Sequence, residues 1–140
     1  MLGLERPLIE ELGKIPELLK VYGMADFDEL EKAGKPMPCA FVIYDGYRVL
    51  ESRRQRRAAL VETRWLVVIA VKSAARTAAG GAARGQAAPL AAAVLKRLLG
   101  WTPPDGYTPL TLETPPPPIF SAGALLFPLA VATQHVVSAS

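Results

Sequence analysis

The sequence predicts an α+β fold: a mixed, largely antiparallel β-sheet of about five strands, about three helices packed on it, and a long central β-hairpin. Three observations carry that expectation. Two runs dense in Val, Ile, Phe, Tyr and Trp, at residues 39–51 and 59–72, flank a short polar loop, the pattern of paired strands. Residues 87–99 repeat apolar side chains at helical spacing. Near the N-terminus a strand, a short helix and another strand follow in order, a crossover that is right-handed if the strands are parallel neighbours.

The first helix is expected over residues 7–14. Pro7 suits a first turn, Glu10 and Glu11 suit the helix dipole, and Gly13 with Pro16 ends the run. Residues 18–22 read as a short strand closed by Gly23. Asp26 and Glu29 have capping-box spacing, so a helix is expected over 27–33, stopped by Gly34 and Pro36.

Asp45-Gly46 interrupts the next strand and admits two readings. It could turn a tight hairpin, or it could be a bulge in one long strand that pairs across residues 52–58. The long hairpin is favoured, with Glu51 facing Ala59, Tyr44 facing Leu66 and Cys39 facing Val71. Residues 65–71 are apolar on both alternating faces, which predicts a central strand covered on both sides.

Residues 73–86 combine Ala with Gly80, Gly81 and Gly85 and are expected to be a loop. The third helix is expected over 87–99 with Pro89 in its first turn, and Leu90, Ala91, Val94, Leu95 and Leu98 along one stripe. Residues 110–114 can form a short strand. Pro115, Pro116, Pro117 and Pro118 make a stiff connector. In a final strand over 124–137, Leu125, Phe127, Leu129 and Val131 share a face, and Pro128 predicts an edge or a bulge.

A length of 140 residues fits a single domain over 1–140. Such a chain buries roughly 68–70% of its unfolded surface. The 51% hydrophobic content excludes wholesale disorder. A lone cysteine, Cys39, forbids an internal disulfide framework. The apolar runs 65–71 and 124–132 are far short of the roughly 20 residues of a membrane span. The acidic start MLGLERPLIEEL does not read as a signal peptide.

Signatures of catalysis are missing. One histidine (His135) and one cysteine cannot build an ordinary zinc or iron–sulfur site, so no cofactor or metal is expected. His135 reads as a partly exposed strand residue and Cys39 as a small buried hydrophobe. There is no G-x-S-x-G, Walker or G-x-G-x-x-G motif. Past residue 35 the only acids are Asp45, Glu51, Glu62, Asp105 and Glu113, and surface ion pairs account for Glu51 and Glu62 more simply than acid–base work. No enzymatic activity is expected.

The outstanding cluster is Arg53, Arg54, Arg56 and Arg57 at the predicted hairpin tip. Guanidinium groups there can meet a protein partner's carboxylates, meet nucleic acid, or stay solvated. A protein partner is favoured, because no aromatic residues interleave for base stacking. Charge is also lopsided: residues 1–35 hold eight acids against five bases, a net of −3, and residues 36–140 hold five against eleven, a net of +6.

Four stretches in order carry a family resemblance. They are Val21-Tyr22-Gly23-Met24-Ala25-Asp26, Phe41-Val42-Ile43-Tyr44-Asp45-Gly46-Tyr47-Arg48-Val49, Arg64-Trp65-Leu66-Val67-Val68-Ile69-Ala70-Val71, and Ser121-Ala122-Gly123 leading to Phe127-Pro128-Leu129. The series resembles phage tail terminator-like proteins of tailed phages and Mu-like prophages. That resemblance implies an α+β sheet with packed helices and a hexameric ring on the last ring of the tail tube. The ring would stop tube polymerisation and present the head-joining surface; the alternative readings are another neck or tail component of similar fold, or a basic nucleic-acid-binding module. The implied partners are other copies of the chain, the tail tube protein and a head-completion or neck protein. The implied location is the virion tail, with the host cytoplasm during assembly. Neither the arginine tip nor prolines 115–118 match the family pattern.

Overall fold

Helix- and strand-forming runs alternate along the chain. The computed structural model describes residues 2–27, 35–55, 57–73, 81–121 and 123–139. A 3-10 turn, Leu2–Leu4, leads into α1 (Glu5–Leu12), followed by β1 (Lys20–Tyr22), α2 (Met24–Phe27), β2 (Cys39–Arg53) and β3 (Ala58–Lys72). Then come α3 (Gly81–Leu99), β4 (Thr111–Glu113), β5 (Ile119–Ser121) and β6 (Ala124–Ser138). The strands form one mixed sheet in the order β1-β2-β3-β6-β4, with β5 also beside β6. That is six strands against the five expected; β5, which follows directly from the prolines, was not anticipated. β1 and β2 are parallel, as the crossover reading requires, and the other pairs are antiparallel.

The N-terminal elements are shifted from their expected bounds. Helix α1 starts two residues early, so Pro7 sits third in it, where a backbone N–H would still lack a helical partner. Leu8 and Leu12 are buried, and the chain leaves the helix at Gly13. Asp26 lies inside α2 rather than ahead of a helix, and its carboxylate is 3.7 Å from Lys35 Nζ. The rest of the helix expected over 27–33, with Glu29, lies outside the described residues.

The long hairpin forms and the tight turn at Asp45-Gly46 does not, but the expected register is off by one. Cys39 faces Ala70, Tyr44 faces Trp65 and Glu51 faces Leu60. The cause is two irregularities in β2. Asp45 and Gly46 together oppose Arg64, with Gly46 at φ 92°, and Leu50 is inserted between the pairs Val49–Val61 and Glu51–Leu60. A one-residue slip exchanges faces, so Tyr44 meets Trp65 edge-on at 5.3 Å instead of lying beside Leu66.

β3 lies between β2 and β6 and is covered on both faces, as predicted. On one face α1 and α3 pack over Val42, Trp65, Val67, Ile69, Leu125 and Val131. On the other a smaller cluster gathers round Phe41, whose ring stacks on Tyr22 at 5.3 Å and meets Phe27 edge-on at 5.1 Å.

Helix α3 begins at Gly81, so residues 81–86, expected as loop, are helical; 74–80 lie outside the described residues. Burial of Ala83 and Ala87 extends the helix where propensity alone would not. Pro89 is therefore the ninth helical residue. The carbonyl it deprives of a donor belongs to Gly85, which is exposed to water. Leu90, Ala91, Val94 and Leu98 are buried as expected, with Leu95 half-buried at the margin.

In β6 the expected face is present: Leu125, Leu129 and Val131 are buried and Phe127 packs against them. Pro128 is buried opposite Val68, with no bulge in that pairing, in a stretch of β6 that is locally an edge, as expected. β5 pairs with Ala124–Leu126 and β4 with Ala130–Ala132, so among the described residues 127–129 have no second neighbour that needs a donor.

Candidate functional site: an arm with an arginine tip

Beyond the helix layer, β2 from Tyr47, β3 back to Thr63 and β6 from Thr133 continue together as a three-stranded arm. Both of its sides expose apolar side chains, Tyr47, Val49 and Val137 on the helix-facing side and Val136 on the other, while Val61 between them is buried. Val136 is 64% exposed and Tyr47 55%. Arg53 faces Ala58 to close the tip, Arg57 adopts a left-handed φ of 49°, and the Ala139 N–H donates to the Arg57 carbonyl at 2.9 Å.

The structure divides the predicted arginine cluster. Arg53 Nε lies 2.6 Å from Glu51, and Arg48 lies 3.0 Å from Glu62, the surface pairs expected of those two acids. Such exposed pairs are worth about 0–1 kcal/mol each. Arg54 and Arg57 are exposed and make no ion pair with the described residues; Arg56 lies outside them. Sequence reasoning missed Arg64. Its Nε donates to Asp45 at 2.7 Å and its Nη2 to the Thr114 carbonyl at 2.6 Å, lacing β2 to the chain beyond β4. An arginine directly before the apolar run 65–71 was the signal.

At the arm's base, residues 107–108 cross β6. The Tyr107 ring lies 4.5 Å from that of His135, and Thr133 Oγ1 donates to the Thr108 carbonyl at 2.6 Å. Burial lowers the pKa of His135, and neither ring nitrogen has a partner among the described residues. His135 meets neither Asp45, engaged by Arg64, nor Glu62, on the opposite face of β3. Burial pushes the Cys39 thiol up to about 11, away from nucleophilic use. Among the described residues no three or more His, Cys, Asp or Glu side chains converge, and no helix is long and apolar enough to cross a membrane.

At the other end, Glu11 bonds both Lys14 at 3.1 Å and Arg97 at 3.0 Å, tying α1 to α3. Burial pushes its carboxyl up, but these two cations together outweigh that and hold it below the usual range. An open cleft of about 450 Å³ beside them is lined by Ile15, Glu17, Lys96 and Trp101. Glu113 is half-buried on β4, while Asp105 and prolines 115–118 are exposed.

The described residues define an α+β scaffold, a mixed sheet with packed helices and a projecting arm. The profile of the phage tail terminator protein family matches residues 4–140, and the chain belongs to that family of virion structural proteins. A chain from a solved virion of a native gene transfer agent particle shares the fold, with a TM-score of 0.52 and 18% identity over 93% of this chain and 84% of that one. No curated protein matches the chain.

Proposed function

We propose that the protein is the terminator of a phage-like tail. Six copies, each acting as one domain over 1–140, form a ring on the last ring of the tail tube, stop its growth and offer the surface to which the head joins. The observation that carries this reading is the family match over residues 4–140, which takes in every described strand and helix except the start of the 3-10 turn. A tube cap needs two unlike faces and a contact that closes at a fixed number of copies. The charge split of −3 and +6 between the N-terminal and remaining parts supports such polarity. The partners are further copies, the tail tube protein and a neck protein, and assembly takes place in the host cytoplasm.

The role is non-catalytic. Depleting the protein during particle assembly is expected to leave tails of uncontrolled length that do not join heads. Tails of normal length and attachment in its absence would overturn the reading.

A further inference from the structure

We propose that the arm of one copy docks, tip first, on the acidic N-terminal segment of a second copy of this chain, an inference that rests on the ring reading for the presence of neighbouring copies. The tip holds two exposed, uncommitted arginines, Arg54 and Arg57. Elsewhere the N-terminal segment holds two exposed carboxylates, Glu10 and Glu17, that make no ion pair with the described residues. Leu19, two residues on from Glu17, is 62% exposed, an apolar counterpart for Tyr47, Val49 and Val136 of the arm.

These two surfaces cannot meet within one molecule. Glu17 and Leu19 lead into β1, whose Lys20 stands beside Cys39, the first residue of β2, whereas the tip follows Arg53 at the other end of that strand. Fourteen residues of strand at about 3.3 Å each separate them by roughly 45 Å. The contact is therefore between copies, and its two halves are unlike, as a head-to-tail ring requires.

Size and edge geometry point the same way. An arm about 20 Å long and 10–15 Å wide has roughly 250 Å² of flat area on each face. Tyr107 and Thr108 already cover the base of the helix-facing side, so the second copy is offered the outer part of that face and the whole of the other, and side-chain relief raises the area towards the lower end of specific interfaces. The outer edge of β2 past Phe41 has no strand beside it among the described residues. Its two bulges break that edge into short pieces, which disfavours strand addition and leaves side-chain docking.

The test uses two singly substituted full-length proteins, Arg54→Cys and Glu17→Cys, mixed in the presence of terminator-free tails and treated with a short bis-maleimide. Cys39 is buried, so only the introduced thiols react. The expected result is a cross-linked pair at least tenfold more abundant in the mixture than in either protein alone. A second measurement pairs the charge reversals Arg54→Glu/Arg57→Glu and Glu10→Lys/Glu17→Lys. Each alone is expected to abolish association, and the two proteins mixed are expected to restore it. Copies that associate without the cross-link, an arm tip that cross-links only to the tube protein, or reversals that fail to rescue each other would overturn the inference. Normal capping without the cross-link overturns the docking but spares the terminator reading; cross-linked copies that do not alter tail length do the reverse.

Discussion

Leu98→Ala, set beside Leu95→Ala, tests how α3 lies on the sheet. Leu98 is wholly buried in the last turn of α3, whereas Leu95, one turn earlier, is half-buried at the margin. Removing three buried carbons costs about 2–2.5 kcal/mol in transfer free energy. A residual cavity of about 50–80 Å³ adds about 1–2 kcal/mol at roughly 24 cal/mol per Å³. Leu98→Ala should therefore lose about 3–4 kcal/mol, and Leu95→Ala about half that, because part of its side chain already meets water. Urea unfolding followed by far-UV circular dichroism reads both as midpoint shifts at unchanged slope. The melting temperature should drop by about 10 °C for Leu98→Ala. Equal losses at the two sites, or a loss below about 1 kcal/mol at Leu98, would refute the helix orientation.

Gly85→Ala should stabilise the protein by about 0.5–1 kcal/mol, since a Cβ there meets nothing within 4 Å and the residue is helical; a thermal melt shows the sign. Burial lowers the pKa of folded His135 below the 6.5 of the free side chain, so the unfolded chain takes up its proton first as pH falls. Stability should be full above about pH 6.5 and decline from there towards the lowered folded value, and His135→Phe should flatten that decline in pH-dependent urea midpoints. Arg64→Ala should cost about 0.5–1.5 kcal/mol, discounted for its partial exposure, and should speed amide exchange beyond β4 where Thr114 is no longer held. No change in exchange there would remove the lacing role.

How far the site was legible is clearest at the hairpin. Two β-rich runs and an arginine-filled loop were enough to place a long hairpin and its basic tip, because strand pairing follows alternation and loop composition. Which arginines remain uncommitted was not readable. Arg53 is taken up by Glu51 and Arg54 is not, and that follows from the direction each side chain takes at the tip. Arg64 was invisible for a different reason: its partners Asp45 and Thr114 are 19 and 50 residues away.

The sequence by itself determined the α+β class, the central placement of residues 65–71, the stripe of α3 and the shared face of Leu125, Leu129 and Val131, all of which rest on local periodicity. Tertiary structure decided the remainder. The two bulges, at Asp45-Gly46 and at Leu50, set the register, since each inserted residue moves every pair beyond it and the one at Leu50 is unmarked in composition. Burial of Ala83 and Ala87 drew the helix through Gly85 and Pro89, where intrinsic propensity opposes it. Pro128 found its local edge because β4 and β5 pair with β6 to either side of it, an arrangement that exists only once separate strands have come together.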